Sequence, residues 1–327
     1  MTMRKTFIKL LLVSLIIFLG LAGCVSDISV ETKLTEQKLD ETRIINGIEF
    51  EIQGDRLTEI SSVADNFKFG VMADPHGYSE NVGYFSAIFK EKGVKAIIIL
   101  GDLAQHYRTK PHGLPDQEEI ETCIEAAAKT GLPIFVIPGN HDFTYFYNKA
   151  LKNISIKYSN VFDLSRIRTL DLKGVNFVSN PYGPYGPYGY DAGTFLKSET
   201  QIKKQVLSYF TSFQDNEIVF VLSHIPPRCQ GKHGIDCNLS RSNEGTKSLS
   251  EFPGLYGHIH EARGGCDSDG NRIVEHTNSK SLRLNPGAVC PWRYNDGNRR
   301  EGSAAIVDFN QEKGPSYQLI SLWRKIY

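Results

Sequence analysis

No excess of charge of either sign is present, since Lys and Arg together number 37 and Asp and Glu together also 37. The overall balance therefore gives no support to polyanion binding, and nucleic acid is not an expected partner. No pair of Cys-x-x-Cys motifs occurs, which leaves a structural zinc site without its usual ligand spacing. No uncharged apolar run reaches the roughly 20 residues that span a hydrocarbon layer; Leu10 to Ala22 comes nearest. Wholesale disorder is excluded too, because 40% of the 327 residues are hydrophobic and 23% charged, an ordinary globular composition with material for one large core.

What is there begins with Arg4, Lys5 and Lys9 ahead of that apolar run, the layout of a signal peptide over residues 1–23. The run ends in Leu21-Ala22-Gly23-Cys24, which resembles the lipobox of prokaryotic lipoproteins. That resemblance implies cleavage before Cys24 and an exported protein anchored to membrane lipid through Cys24 on the extracytoplasmic side. An uncleaved anchor with a chance cysteine is the alternative. Without residues 1–23 the balance is 34 basic against 37 acidic groups, a net of −3. An anionic substrate then requires positive charge at the site itself, which metal ions supply. Residues 25–43 are polar with little periodicity and are expected to be a flexible tether, followed by one folded domain over 44–327.

Export to an oxidising compartment makes disulfides possible among Cys123, Cys229, Cys237, Cys266 and Cys290. Cys229 and Cys237 bracket a short loop and are the expected pair. Cys123, inside a helical pattern, is the expected buried thiol.

From Ile44 onward, short apolar runs alternate with helical stretches. Phe67 to Ala73, Ala96 to Leu100 and Pro133 to Ile137 have the pattern of buried strands. Between the last two, Asp116 can cap a helix, with Glu119 three residues on and Gly131 to end it. Gly174 to Ser179 and Glu217 to Leu222 are expected strands around a helix begun by Ser198, with Gln201 at the capping-box spacing. Ala304 to Phe309 and Tyr317 to Leu322 are the last expected strands. The pattern predicts an α/β layer fold with parallel pairing, in which two packed sheets are flanked by helices. Pro-Tyr-Gly repeats three times from Pro181 to Gly189, before Tyr190. Proline and glycine exclude a regular element there, leaving a mobile surface loop or an aromatic lid.

The chemistry-bearing residues sit at strand ends. Asp74-Pro75-His76 follows the first of the three strands, Gly101-Asp102 the second, and Gly139-Asn140-His141-Asp142 the third. In open α/β sheets that carboxyl edge is where ligands bind. Ser223-His224 ends a later strand, and Gly257-His258-Ile259-His260 offers two imidazoles at i, i+2. Carboxylate, amide and imidazole together favour borderline-to-hard divalent ions, and the lack of a thiolate among them argues against a soft-metal site.

In this order the five segments resemble the motifs of calcineurin-like metallophosphoesterases, over about residues 66–310, with Asn285-Pro286-Gly287 matching a turn often found after the last motif. The resemblance implies a two-sheet sandwich holding two divalent ions, of which Mn, Fe and Zn are the candidates. It assigns Asp74, His76 and His260 to one ion, Asn140, His224 and His258 to the other, and Asp102 as the bridge. Two such ions can share a bridging water, lower its pKa and clamp phosphate oxygens. His141 is then placed as the general acid with Asp142 orienting its ring, the alternative for His141 being only a hydrogen bond to phosphate. His106, His112, His233 and His276 lie in loops or polar stretches with exposed or structural roles as the default, although His106 and Tyr107 can line the pocket.

Departures from sub-patterns narrow the choice. Gln105 stands where purple acid phosphatases have a tyrosine, and the Gly-Asp-x-Val-Asp-Arg-Gly and Gly-Asn-His-Glu strings of Ser/Thr protein phosphatases are missing. Only 67 residues follow His260, too few for the substrate domain of secreted nucleotidases. Gly-Asn-His-Asp with His224-Ile225-Pro226-Pro227 resembles the compact phosphodiesterase-type members. A small or membrane-associated phosphoester is the implied substrate. A phosphomonoesterase of the same fold and a non-catalytic, metal-stabilised binding module are the alternatives, and no protein partner is indicated.

Overall fold

A computed structural model describes residues 40–60, 66–105, 116–172, 175–185, 190, 193–213, 217–229, 234–238, 244–310 and 312–323. Its elements in chain order are β1 (Asp40–Ile45), β2 (Ile48–Gln53), β3 (Arg56–Glu59), β4 (Asn66–Met72), α1 (Ser79–Glu91), β5 (Ala96–Leu100), α2 (Asp116–Ala128), β6 (Ile134–Ile137), α3 (Thr144–Lys157), β7 (Val161–Asp163), β8 (Thr169–Asp171) and β9 (Asn176–Asn180). There follow α4 (Glu199–Phe210), β10 (Val219–Ser223), β11 (Gly254–Tyr256), β12 (Gly264–Cys266), β13 (Arg272–Ile273), β14 (Arg283–Asn285), β15 (Trp292–Arg293), β16 (Arg299–Arg300), β17 (Gly302–Asn310) and β18 (Gly314–Leu322).

A six-stranded sheet has the order β18-β17-β4-β5-β6-β7 and a ten-stranded sheet the order β1-β2-β3-β8-β9-β10-β11-β14-β12-β13. The expected two-sheet layering and parallel pairing are both observed: β4 to β7 run parallel, as do β9, β10, β11 and β14. Strand alternation explains why both faces of these sheets are apolar. In β5, Ala96, Ile98 and Leu100 face the core between the sheets, whereas Ile97 and Ile99 face the core under α1, α2 and α3. In β10, Phe220 and Leu222 face the first core while Val219 and Val221 pack beneath α4. Phe69, Phe177 and Phe309 lock the sheets together edge-to-face at centroid distances of 5.3–5.5 Å. Full burial of each such ring contributes about 1.5–3 kcal/mol.

Local signals performed well where they were strong. The capping box of Ser198 and Gln201 starts α4. Two expectations change. Asp40 to Arg43, expected within the tether, belong to β1, and residues 25–39 of that stretch lie outside the described residues. An edge strand with exposed side chains pairs through its backbone and shows no hydrophobic period. The strand expected over Gly174 to Ser179 starts at Asn176, and Gly174 lies outside the described residues. Among the described residues, no helix is long and apolar enough to cross a membrane. The signal segment, Cys24, His106, Tyr107, His112 and His233 lie outside the described residues.

Candidate metal centre

The carboxyl ends of β4, β5 and β6 in one sheet and of β10 and β11 in the other converge. Asp74 and His76 follow β4, Asp102 follows β5, Asn140 follows β6, His224 follows β10, and His258 and His260 follow β11. Donor atoms of Asp74, His76, Asp102 and His260 all lie within 4.8 Å of one another, and so do those of Asp102, His224 and His258. Asn140 Oδ1 joins the second group, 2.8 Å from His224 Nε2 and 3.0 Å from His258 Nδ1. Asp102 is common to both groups, and all seven expected ligands are brought together.

Backbone strain marks the same residues. Asp74, His76, Asp102 and His258 have positive φ of 54°, 45°, 54° and 71°, a region that costs a non-glycine residue on the order of 1–3 kcal/mol. Asp74 N–H bonds the Gly101 carbonyl at 3.1 Å, His76 N–H the Asp102 carbonyl at 2.9 Å, and Gly257 N–H the His224 carbonyl at 2.8 Å, so the turns brace one another. A Cβ on Gly139 would lie 2.1 Å from Asp102 Oδ1, and one on Gly257 would lie 2.8 Å from Ala73 Cβ. Glycine at these two positions lets the loops close around the carboxylates.

The donor set fits divalent cations. His76 Nδ1 faces the Ala104 carbonyl at 3.3 Å and His224 Nδ1 the Leu100 carbonyl at 2.7 Å. With each Nδ1–H donated there, the Nε2 lone pair points inward. His76 Nε2 and His260 Nε2 stand 3.0 Å apart, and His258 Nε2 is buried with no hydrogen-bond partner among the described residues. Burial first, and the neighbouring rings second, hold His76 and His258 well below the ordinary histidine value, so both are neutral donors at pH 7. Burial opposes charge on His224 and His260, yet Asp102 raises His224 to about 9 and Asp74 raises His260. The field of these two carboxylates, which favours positive charge on the rings, equally favours a metal cation.

Residues 67–262 match the family described as calcineurin-like phosphoesterase. The chain belongs to that family. It is a hydrolase acting on phosphoric esters, and the family's dinuclear divalent metals suit the two donor groups that share Asp102. One solved structure, 11% identical over 79% of this chain and 99% of its own, has a TM-score of 0.55, which shows a common fold. An archaeal phosphodiesterase is 18% identical over 78% of this chain and 100% of its own with a TM-score of 0.37. A dimetal phosphatase from Danio rerio is 12% identical over 78% and 98%, with a TM-score of 0.41. No curated protein matches this phosphoesterase.

Around the metal centre of this phosphoesterase, several expectations are refined. His141 lies at its rim: its N–H donates to Asp102 Oδ1 at 2.8 Å, and its Nε2 is 3.8 Å from Asp102 Oδ2. Asp142 has a structural task in the same turn. Its buried carboxylate accepts backbone N–H groups from Gly139 at 2.8 Å, Ala104 at 3.1 Å and Leu103 at 3.2 Å, which clamps the β5 loop to the β6 loop. Both of its oxygens engage backbone, whereas sequence proximity to His141 suggested a ring-orienting role.

Cysteine chemistry changes as well. Cys237 was the expected partner of Cys229, but the sulfur of Cys229 lies 3.8 Å from that of Cys266 on β12. Cys123 is buried and free as expected. Cys290, considered in the sequence only as a possible disulfide partner, offers a thiol within 4.8 Å of donor atoms of His76 and His260. A thiol therefore does stand beside the hard donors, brought there when Cys290 N–H bonds the Asp74 carbonyl at 3.2 Å. Trp292 was also missed; its ring meets that of His260 edge-on at 4.5 Å. Asn285, noted only as part of a turn, donates through Nδ2 to the carbonyls of Gly257 at 3.2 Å and Ile259 at 3.0 Å, holding the His258 to His260 segment.

The tyrosine repeat is anchored at both described ends. Tyr190 is buried, with its hydroxyl 3.4 Å from the Pro138 carbonyl, and Tyr182 packs under Lys197 at 3.7 Å and Arg168 at 5.1 Å. Tyr185 is 76% exposed, and residues 186–189 lie outside those described. His276 is exposed.

Proposed function

We propose that this phosphoesterase cleaves phosphodiesters and works outside the cytoplasm, tethered through a lipid on Cys24. Asp74, His76 and His260 would hold one divalent ion, Asn140, His224 and His258 the other, with Asp102 reaching both. Ions held there supply Lewis acidity and lower the pKa of water. His141, fixed at the rim by its backbone N–H bond to Asp102, would protonate the departing ester oxygen through its imidazole. The tight backbone clamp made by Asp142 keeps Asp102 and Asn140 at one spacing, so little reorganisation is needed on binding.

One observation carries the diester reading. Trp292, packed on His260, also lines a cavity of about 510 Å³. A diester keeps one substituent on phosphorus while the other leaves, and this cavity gives the retained arm a place. His224-Ile225-Pro226-Pro227 supports the same sub-pattern. The test is turnover, with Mn, Fe or Zn supplied, of bis(p-nitrophenyl) phosphate against p-nitrophenyl phosphate. Faster monoester turnover would make the protein a phosphomonoesterase, and no turnover with two metal equivalents bound would make it a binding module. The anchoring rests on Leu21-Ala22-Gly23-Cys24 alone; labelled fatty acid should enter wild type and not Cys24→Ser, and mature protein cut elsewhere and free of lipid would refute it.

A further inference from the structure

Two arginines face each other across the hairpin of β15 and β16, where Arg293 is the cross-strand neighbour of Arg299. Like charges directly opposite on an antiparallel pair repel. A third arginine on the same hairpin shows how such a charge is normally settled. Arg300 is buried, ion-paired with Asp296, and stacked over Tyr294 at 5.0 Å and Trp323 at 4.6 Å. Arg293 and Arg299 have no ion-pair partner among the described residues, and both are exposed. They line the 510 Å³ cavity together with Trp292, Pro291 and Gly297. Trp292, the chain neighbour of Arg293, lies against His260, a proposed metal ligand.

We propose that this cavity is a substrate subsite in which Arg293 and Arg299 bind a second phosphate, carried on the retained arm of a nucleotide-like diester, while Trp292 packs against its planar group. The assignment rests on the phosphodiester reading of the metal centre. Guanidinium forks match the oxygens of a phosphate in charge and geometry, and an anion placed between the two relieves their mutual repulsion. An indole face suits a base or aryl group. The protein therefore prefers diesters with a second anionic group over otherwise identical diesters without one.

Two esters that differ by one phosphate test this on the full chain with metals supplied: thymidine 5′-(p-nitrophenyl phosphate) and its 3′-phosphorylated counterpart. Wild type is expected to favour the 3′-phosphorylated ester in kcat/KM by about tenfold or more, the range that charge-assisted hydrogen bonds provide. Arg293→Gln with Arg299→Gln, both surface changes, is expected to erase that ratio while the melting temperature holds, and Lys at both positions to restore part of it. A wild-type ratio near one, or a ratio unchanged in the double variant, overturns the subsite. Should wild type cleave neither ester, the diester reading fails, and calorimetry decides the subsite separately. Tighter binding of thymidine 3′,5′-bisphosphate than of thymidine 5′-monophosphate, lost in the double variant, upholds it. Equal binding of the two, or an advantage that survives the double variant, overturns it.

Discussion

Replacing Asp102 with asparagine removes one charge from the only side chain common to both donor groups. Its Oδ1 accepts the His141 N–H at 2.8 Å, and its Oδ2 is 3.3 Å from His224 Nε2 and 3.7 Å from His76 Nε2. An asparagine keeps its oxygen on the His141 N–H, so the loop after β6 stays in place and the fold survives. The side of Oδ2 then presents an NH₂ donor to the centre instead of a negative oxygen. A unit charge pair at 4 Å is worth about 4 kcal/mol at an effective dielectric constant near 20, or about a thousandfold in affinity. Each ion loses at least that attraction, so Asp102→Asn should bind both metals about a thousandfold or more weakly and be inactive at micromolar metal. Chelator competition with elemental analysis measures affinity and stoichiometry, and circular dichroism checks that the fold is intact. A variant that retains two tightly bound equivalents and normal turnover would refute the shared-carboxylate assignment.

The other expectations concern residues around that centre. His141→Ala should keep metal and slow turnover by about 10²–10⁴-fold for esters with poor leaving groups, and much less for p-nitrophenyl esters; equal slowing would leave His141 only a hydrogen bond to phosphate. Asp142→Asn turns a donor against a buried N–H of the clamp and should cost about 1–3 kcal/mol in urea unfolding, with the wild-type dependence on leaving group; the reverse pattern would restore a ring-orienting role. Oxidised glutathione should join Cys229 to Cys266, detected as a linked peptide by mass spectrometry, and a Cys229–Cys237 peptide instead would contradict the packing of β12.

Much of this protein was legible in its sequence because the informative signals are local. Buried parallel strands are short apolar runs, and each candidate ligand follows its strand within a few residues, so Asp74, Asp102, Asn140, His224, His258 and His260 could be found without knowing which strands are neighbours. The capping box of α4 is a four-residue pattern and was equally visible. Edge strand β1 was not, since its exposed side chains leave no period and its partner β2 supplies the order through backbone bonds. Asp142, the cysteines and Trp292 show the other limit. The carboxylate next to His141, the proposed general acid, turned to the backbone of a loop 38 residues away, Cys229 met Cys266 across the sheet, and Trp292 met His260 from a hairpin beyond it. Those contacts are settled by how two twisted sheets pack face to face and where their edges meet. Nothing in local periodicity encodes that packing, whereas it alone brings donors from opposite sheets within reach of the same ion.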